Sequence, residues 1–303
     1  GASKGNLGGE VAAGLCHCGY SVVVATRSRE RGEALVAELR ASGGRAEFVE
    51  LHVDRPESAV NLAAHLGDRP CAILVNNAGV MGTNRDLIFK TNLMGPTILT
   101  LALLPALKRY DGTPRVVNVA SSSHLRAAKV EPNLVYDPTP DADLRAYAQS
   151  KLGLMQVSTL LRHGLGHEQG QGQGLAWLEV ANAHPGLVWT PMLQRHWGGL
   201  VPVLEKSGTA GLLFKTPESA ATTVLTAALA PRSRPPPGWG ENPGKWQRGV
   251  GGQQVPYFVN RRPGGYASEE SRDVQAAREM WKRVLECPVR AAIPDWHGDF
   301  FAS

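Results

Sequence analysis

Tyr147 and Lys151 are the two residues of this chain whose types and spacing best suit acid–base chemistry. Residues four apart lie on the same face of a helix, one turn from each other. A free phenol has a pKa of about 10 and is a weak acid at neutral pH. A nearby ammonium favours the phenolate and lowers that pKa toward the working range. The spacing predicts a tyrosine activated by a lysine, although ordinary helix surfaces also carry such pairs.

A glycine-rich turn, residues 1–8, opens the chain ahead of a helix predicted over residues 10–18. Glycines at such a turn let the backbone approach a diphosphate, and the helix N-terminus offers free N–H groups to it. The turn alone is weak evidence for a nucleotide site. Its residues predicted to contact a cofactor are Gly1, Ser3, Lys4, Gly5, Leu7 and Gly8.

Arg27 follows a predicted strand, residues 20–26, where a residue that reads the adenosine ribose is expected. An acid there would bind the ribose 2′-hydroxyl, whereas an arginine suits a 2′-phosphate. Lys4 would add a second positive charge near the same corner. This charge pattern favours NADP(H) over NAD(H), and the alternative is that both are ordinary surface cations.

Strands and helices alternate over the first 190 residues or so, which predicts a parallel sheet with helices on both faces. The fold class is therefore α/β, a single Rossmann-type, doubly wound domain over residues 1–303. The predicted strands are residues 20–26, 46–53, 71–75, 115–119, 178–183 and 257–258. The predicted helices include residues 30–41, 56–66, 87–110, 144–164 and 268–285.

The strand that should feed the glycine-rich turn is missing from the sequence, which starts at Gly1 without a Met. In a doubly wound sheet that strand is central, so its neighbours would face a gap with unpaired backbone groups. The expectation is a fragment that folds poorly or binds cofactor weakly. An upstream anchor or targeting segment would not be visible.

Composition excludes several classes of function. The 303 residues, 43% hydrophobic and 19% charged, suit one large domain. A net charge of +5 without a long Lys/Arg run disfavours nucleic-acid binding. Four cysteines without metal-ligand spacing indicate no metal site and a reduced intracellular protein, cytoplasmic or organellar. No run of 18 apolar residues and no signal peptide are present.

Six motifs in order resemble those of the short-chain dehydrogenases/reductases. Ser121 and Tyr147 lie 26 residues apart, and this wide spacing narrows the resemblance to the branch of retinol dehydrogenases and the WW-domain oxidoreductase. Arg27, a Lys215-Thr216-Pro217-Glu218 turn and Trp281 fit that branch too. The motifs are the glycine-rich turn, Asn76-Asn77-Ala78-Gly79, Asn92-Leu93-Met94-Gly95, Asn118-Val119-Ala120-Ser121, Tyr147-x-x-x-Lys151 and Pro185-Gly186-Leu187-Val188-Trp189-Thr190.

The resemblance implies an NADP(H)-dependent oxidoreductase that interconverts a carbonyl and an alcohol on an apolar substrate by hydride transfer. Tyr147 would be the general acid in reduction and the base in the reverse direction. Lys151 would lower its pKa and hold the nicotinamide ribose. Ser121 would stabilise the substrate oxygen, with Ser122 as an alternative assignment, and Asn92 would hold a water for proton relay.

The resemblance also implies which residues line the cofactor. The family usually has an Asp where His52 stands, and Asp54 is a poorer substitute; the glycine-rich turn is one residue longer than usual. The implied contacts are His52, Val53 and Asp54 near the adenine, Asn77, Ala78 and Gly79 beside the adenosine half, and Pro185, Gly186, Val188 and Thr190 toward the nicotinamide.

Two segments interrupt or cover the predicted domain. Residues 191–213 contain several apolar side chains and are expected to cover an apolar substrate. Residues 231–253 are rich in Pro and Gly and are expected to form a loop insertion.

Other interpretations stay open at this stage. A C=C reductase resembling the protochlorophyllide reductases would use the same Tyr and Lys. A non-catalytic or decayed cofactor-binding or interaction protein would explain the altered turn and His52. His124 and His184 are expected to be structural, and Trp281 to lie in the core. The resemblance implies a small apolar carbonyl or alcohol substrate and leaves a homodimer open.

Overall fold

The structure, a computed structural model, describes residues 1–131, 141–163, 175–189, 206, 214–230, 255, 257–259, 262–263 and 267–294. Within them the strands form two sheets, one of two strands and one of five. The first sheet holds β1 (Ser21–Thr26) and β2 (Arg45–Glu50). The second holds, in spatial order, β3 (Ile73–Asn76), β4 (Arg115–Val119), β5 (Glu179–His184), β6 (Tyr257–Val259) and β7 (Arg262–Pro263).

All strand pairs are parallel except β6–β7, and helices lie between successive strands from β1 to β6. The predicted α/β fold with a parallel, doubly wound arrangement is confirmed. The helices are α1 (Leu7–His17), α2 (Arg29–Ala41), α3 (Pro56–Leu66), α4 (Arg85–Phe89), α5 (Gly95–Ala102), α6 (Leu104–Lys108), α7 (Ala142–His163), α8 (Pro217–Leu229), α9 (Glu269–Arg272), α10 (Val274–Met280) and α11 (Glu286–Ala292).

The core lies on both faces of the five-stranded sheet. On one face, α3, α5, α7 and the C-terminal helices bury a large apolar cluster that includes Leu93, Leu152 and Trp281. Trp281 is therefore a core residue, as expected. On the other face, α1 and α8 pack against β4 and β5 through Val11, Val224 and their neighbours. Helix α7 thereby holds a fixed position across the sheet, which matters because it carries Tyr147 and Lys151.

The two sheets are separated by a gap between β1 and β3. A cavity of about 230 Å³ fills this gap, lined mainly by apolar side chains of both strands and by α1, α3 and α5. The gap expected from the sequence is therefore present. Backbone groups along these two facing edges lack a strand partner, and unpaired buried backbone groups are costly.

Three buried asparagines stand side by side in the register of β3, β4 and β5. In the strand register, Asn76 of β3 lies opposite Asn118 of β4, and Asn118 lies opposite Asn182 of β5. Asn76 Nδ2 donates to Asn118 Oδ1 at 2.8 Å, and Asn118 Nδ2 donates to Ser158 Oγ on α7 at 2.8 Å. The Ser158 hydroxyl donates to Asn182 Oδ1, also at 2.8 Å. We call these four residues the amide ladder.

The prediction of a single helix over residues 87–110 is wrong in detail, because the structure divides this range into several shorter helices. A π-helical turn spans Lys90–Met94, between α4 and α5, and contains Asn92. Pro96 and Pro105 each lie in the first turn of a new helix, where a missing N–H costs little. The strand predicted to reach residue 53 ends at Glu50, because the loop beyond it packs its Val53 carbonyl against Gly95.

Replacing Asn118 with Ala should destabilise the protein by about 2–4 kcal/mol, because the change leaves buried polar groups of Asn76 and Ser158 without their partner. Thr223→Val is the matched control. Its Oγ1 is buried and has no hydrogen-bond partner among the described residues, so its loss should change the free energy of unfolding by less than about 1 kcal/mol. Urea unfolding of both variants tests this, and equal destabilisation would contradict the ladder's importance.

Fusing a six-residue strand rich in Val and Ile ahead of Gly1 should stabilise the protein by about 2–4 kcal/mol, because it would fill the cavity and pair two open edges. Gly1 lies at one end of that cavity, beside Ala78. Thermal unfolding measures the gain. An extension of equal length containing three prolines is the control, since proline cannot donate to a strand ladder; equal stabilisation by both would contradict the prediction.

Candidate active site

Tyr147, Lys151 and Ser121 meet at the carboxyl end of β4. Tyr147 and Lys151 lie on the buried face of α7, and Ser121 follows β4 by two residues. The Ser121 side chain lies close enough to the Tyr147 hydroxyl to act on its pKa, and Ser121 Oγ donates to Ser123 Oγ at 3.1 Å. Lys151 Nζ lies 5.8 Å from the centre of the Tyr147 ring and donates to the Val119 carbonyl at 2.9 Å. The structure thus brings together the three residues that the motifs singled out for proton transfer.

The electrostatics of this group differ from the simplest expectation. Burial raises the pKa of Tyr147 above its ordinary value, and the hydrogen bond with Ser121 opposes that rise. Burial also lowers the pKa of Lys151 to about 8. The lowering of the Tyr147 pKa expected from Lys151 is not found here, because the ammonium donates to Val119 and desolvation outweighs its attraction for the phenolate. The site therefore favours a protonated tyrosine.

Asn92 is fully buried in the π-helical turn, and every polar atom of its amide is used. Its Oδ1 accepts from the Val80 N–H at 2.8 Å, and its Nδ2 donates to the Val80 carbonyl at 2.8 Å and to Ser150 Oγ at 3.1 Å. The amide thereby ties the loop after β3 to α7. The Asn92 side chain is therefore a fully hydrogen-bonded structural group. A proton relay at this position would have to use the Asn92 backbone, not the side chain.

His124 supports the loop that carries Ser121. It is completely buried, and its Nδ1 lies 2.6 Å from the Ser121 carbonyl. Its Nε2 accepts from the Ser268 N–H at 3.2 Å, which assigns the proton to Nδ1, and its ring meets Tyr257 edge-on. The residue is structural, as expected. Its link to the C-terminal segment was not predictable, because no spacing in the sequence joins positions 124 and 268.

The glycine-rich turn folds tightly around Asn6. Gly5 has a φ of 69°, a left-handed conformation that glycine adopts without strain. Asn6 caps α1 by accepting from the Gly9 N–H at 2.9 Å, and its amide donates to Ser3 Oγ at 2.6 Å. The Ser3 N–H also donates to Asn6 Oδ1, at 3.1 Å. The extra residue of the turn is accommodated by this cap, and Leu7 is the first residue of α1.

Two glycines, Gly8 and Gly79, allow close packing of neighbouring segments. A Cβ on Gly8 would come within 2.5 Å of the Gly1 carbonyl and 2.6 Å of Asn77 Nδ2, which donates to that carbonyl. A Cβ on Gly79 would approach Asn92 Oδ1 at 3.5 Å and Lys151 Nζ at 3.6 Å. Gly1, Asn77, Ala78 and Gly79 thus lie in succession between α1 and Lys151. Such a path fits an extended dinucleotide.

Arg27 and Lys4 do not form the paired cations expected from the sequence. Arg27 is exposed at the end of β1. Lys4 instead pairs with Glu38 at 3.2 Å, beyond the middle of α2. Of these two cations, Arg27 is therefore the one that lies where β1 ends and α2 begins.

His52 already has partners at the end of β2. Its Nε2 lies 3.1 Å from Glu50 Oε1, and its N–H donates to Ser58 Oγ at 2.9 Å. Val53 and Leu51 line the cavity between the sheets. Asp54 is half-buried in the same loop. The loop thus borders the predicted adenine position. The resemblance implies an aspartate there, but this chain has His52, whose ring contacts Glu50.

The turn after β5 brings Gly186 and Val188 beside a lysine that the sequence did not single out for binding. Gly186 has a φ of 92°, and Val188 forms a β-bridge with Lys215. Pro185 is buried directly ahead of this turn. The predictions for Thr190, for the substrate cover over 191–213 and for the insertion over 231–253 fall outside the described residues, apart from Lys206.

The chain belongs to the short-chain dehydrogenases. The family model for short chain dehydrogenase matches residues 1–198. Dehydrogenase/reductase SDR family member 13 of Bos taurus is 34% identical over 294 residues, covering 93% of this chain and 70% of its own. Polyprenol dehydrogenase of Mus musculus is 33% identical over 307 residues, covering 94% and 81%. The family is one of oxidoreductases, so the coarse prediction of function is confirmed.

The fold and the branch agree with this assignment. A crystal structure of F189W actinorhodin polyketide ketoreductase with NADPH aligns with a TM-score of 0.58 and 24% identity, over 74% of this chain and 87% of that one. Retinol dehydrogenase 13 of Mus musculus is 28% identical over 93% of this chain and 80% of its own. The resemblance to the retinol dehydrogenase branch is confirmed. No helix among the described residues is long and apolar enough to cross a membrane.

A reduction in which Tyr147 donates the proton should slow above about pH 8, because Lys151, whose pKa burial lowers to about 8, loses its proton there while burial, which raises the pKa of Tyr147, favours its protonated form. A neutral Lys151 no longer stabilises the phenolate that forms during proton donation. The measurement is kcat/KM for reduction between pH 6 and 10. The arginine of Lys151→Arg keeps its charge over this range, so the decrease of kcat/KM at alkaline pH should disappear in this variant. A decrease that persists near pH 8 would show that another group causes it.

Proposed function

We propose that this protein is an NADP(H)-dependent oxidoreductase that interconverts a carbonyl and an alcohol on an apolar substrate. The observation that carries the proposal is the convergence of the Tyr147 hydroxyl and the Ser121 side chain, with Lys151 Nζ 5.8 Å from the centre of the same ring. An acid, an oxygen-stabilising hydroxyl and a cation converge there at the end of a strand. Proton transfer to an oxygen that gains charge needs these three groups.

The bound cofactor would supply the hydride, and the chain's own groups would handle the proton. Ser121 would donate to the substrate oxygen and stabilise the charge that develops on it. Tyr147 would then give its proton to that oxygen, and its burial keeps the proton in place until then. Lys151 would stabilise the resulting phenolate, since its ammonium needs only to turn from the Val119 carbonyl toward the phenolate oxygen.

Arg27 supports NADP(H) as the cofactor. It is exposed at the N-terminal side of α2, and Ser28 caps that helix by accepting from the Arg31 N–H. A phosphate placed there would meet a guanidinium and free helix N–H groups together. The related ketoreductase was solved with NADPH, which supports the same choice. Lys4 contributes less than its charge suggested, because it is paired with Glu38.

Exposed leucines around the site support an apolar substrate. Leu125, Leu144 and Leu187 are among the few large apolar side chains that are exposed in the described residues. Each lies close in sequence to a site residue: Leu125 follows Ser121 by four positions, Leu144 precedes Tyr147 by three, and Leu187 follows Gly186. Exposed leucines near a binding site favour a ligand whose own apolar surface is removed from water on binding. The names polyprenol dehydrogenase and retinol dehydrogenase, given to two relatives, agree with this.

Tyr147→Phe is the decisive variant. It should lower kcat by about 10²–10⁴-fold, while the affinity for NADPH, measured by fluorescence of the bound nicotinamide, stays within about twofold. Tyr257→Phe is the matched control, because the Tyr257 hydroxyl is buried without a partner among the described residues and its loss should leave turnover unchanged. Retained turnover in Tyr147→Phe would overturn the assignment.

The substrate screen that accompanies this experiment separates the remaining alternatives. Aldehydes and ketones with long apolar chains should be reduced with NADPH as donor. Turnover of enones without turnover of aldehydes would instead indicate a C=C reductase. Binding of neither NADPH nor NADH by the wild-type chain would favour a non-catalytic protein, since every step above depends on the cofactor.

A further inference from the structure

Lys215 is fixed by backbone hydrogen bonds at the turn that follows β5. Its N–H donates to the Leu187 carbonyl at 2.8 Å, and its own carbonyl accepts from the Trp189 N–H at 3.0 Å. The next residue, Thr216, caps α8 by accepting from the Ser219 N–H. Lys215 therefore sits rigidly between the Pro185–Gly186 turn and the first turn of a helix.

The side chain of Lys215 lies across the bare α-carbon of Gly186. A Cβ on Gly186 would be 3.1 Å from Lys215 Cε, 3.2 Å from Cδ and 3.3 Å from Nζ. The glycine is required here twice, by its left-handed φ of 92° and by this close approach. The turn thus holds the lysine stem and its ammonium against Gly186, in the turn that the resemblance places beside the cofactor.

Lys215 belongs to a group of cations at the carboxyl end of β5. Burial, followed by the charges of Lys215, His124 and Lys151, lowers the pKa of His184 to about 4. His184 is therefore neutral, and its Nδ1 is buried with no hydrogen-bond partner among the described residues. Lys151 and Lys215 thus both lie near His184, whose Nδ1 has no hydrogen-bond partner among the described residues. A site of this charge attracts an anion.

The first turns of α1 and α8 lie beside each other next to this group. Gly14 of α1 packs against Leu225 of α8, and Glu10 and Glu218, each in the first turn of its helix, act electrostatically on each other. The two helices therefore run parallel with their N-termini level. A diphosphate at the glycine-rich turn of α1 would meet two carboxylates, so a cation at this corner is needed to offset them.

We propose that Lys215 is a cofactor-binding residue whose ammonium donates to the diphosphate of the nicotinamide cofactor, across the Gly186 turn. This inference rests on the proposed function, because the ligand is the cofactor of that reaction. The diphosphate connects the adenosine corner at Arg27 with the nicotinamide at Lys151, and Lys215 lies at the turn between them. Its role differs from that of Arg27, since every nicotinamide dinucleotide carries the diphosphate and only NADP(H) carries the 2′-phosphate.

Lys215→Met tests the proposal, because methionine keeps the apolar stem over Gly186 and removes the charge. Its dissociation constants for NADPH, NADH and ADP-ribose should all rise by about ten- to a hundredfold. Adenosine 2′,5′-bisphosphate, which has the 2′-phosphate without the diphosphate, should bind as tightly as to the wild type. Arg27→Met should give the opposite pattern, with NADPH and the bisphosphate weakened and NADH unchanged. Lys215→Arg should recover most of the lost affinity.

Three outcomes would overturn the proposal. Unchanged dinucleotide affinity in Lys215→Met would remove Lys215 from the cofactor site while leaving the proposed function intact. Loss confined to the KM of the carbonyl substrate would place Lys215 against the substrate instead. Wild-type protein that binds no dinucleotide would refute the proposed function and this inference together. Lys108→Met, an exposed lysine just ahead of β4 at the opposite edge of the sheet, controls for the general loss of one positive charge.

Discussion

The amide ladder is the interaction on which the site's geometry depends. Asn76, Asn118 and Asn182 lie in register across β3, β4 and β5, and Ser158 joins the last two from α7. Ser158 follows Lys151 by two helical turns on the same buried stripe, so its hydroxyl fixes how far along the sheet α7 lies. Apolar packing alone tolerates a small shift of a helix along a sheet, whereas buried hydrogen bonds at 2.8 Å do not.

Close backbone approaches then bring the remaining site elements onto this frame. Gly95 lets the Val53 carbonyl press against the start of α5, and Gly153 lets Leu93 pack against α7. The π-helical turn between α4 and α5 directs the Asn92 amide at Val80 and Ser150. A π-helical turn is rare and often marks a functional site. Here it joins the glycine path after β3 to the helix that carries Tyr147.

The sequence predicted the layers, the parallel sheet and the gap, because apolar periodicity and motif order depend on local spacing. It also placed Tyr147, Lys151 and Ser121 correctly in one site. It could not predict the division of the helix around Asn92, the Glu38 partner of Lys4 or the Glu50 partner of His52. These depend on side chains from distant elements. The contacts of His124 and Lys215 were unpredictable for the same reason, since they join these residues to Ser268 and to the Gly186 turn, far away in the chain.

The gap between the sheets divides the two tasks of the protein. Arg27 and His52 stand on the sheet of β1 and β2, whereas Ser121 and the residues of α7 stand on the sheet of β3 to β7. A dinucleotide that reaches both must bridge an apolar cavity of about 230 Å³, across which no strand fixes the spacing of the two sheets in the described residues. In the proposed function, cofactor affinity would depend on that spacing, whereas proton transfer would depend on residues that the amide ladder holds on the sheet of β3 to β7. Filling the cavity should tighten cofactor binding and leave the pH dependence of turnover unchanged, because β1 and β2 contribute no group to the proton path.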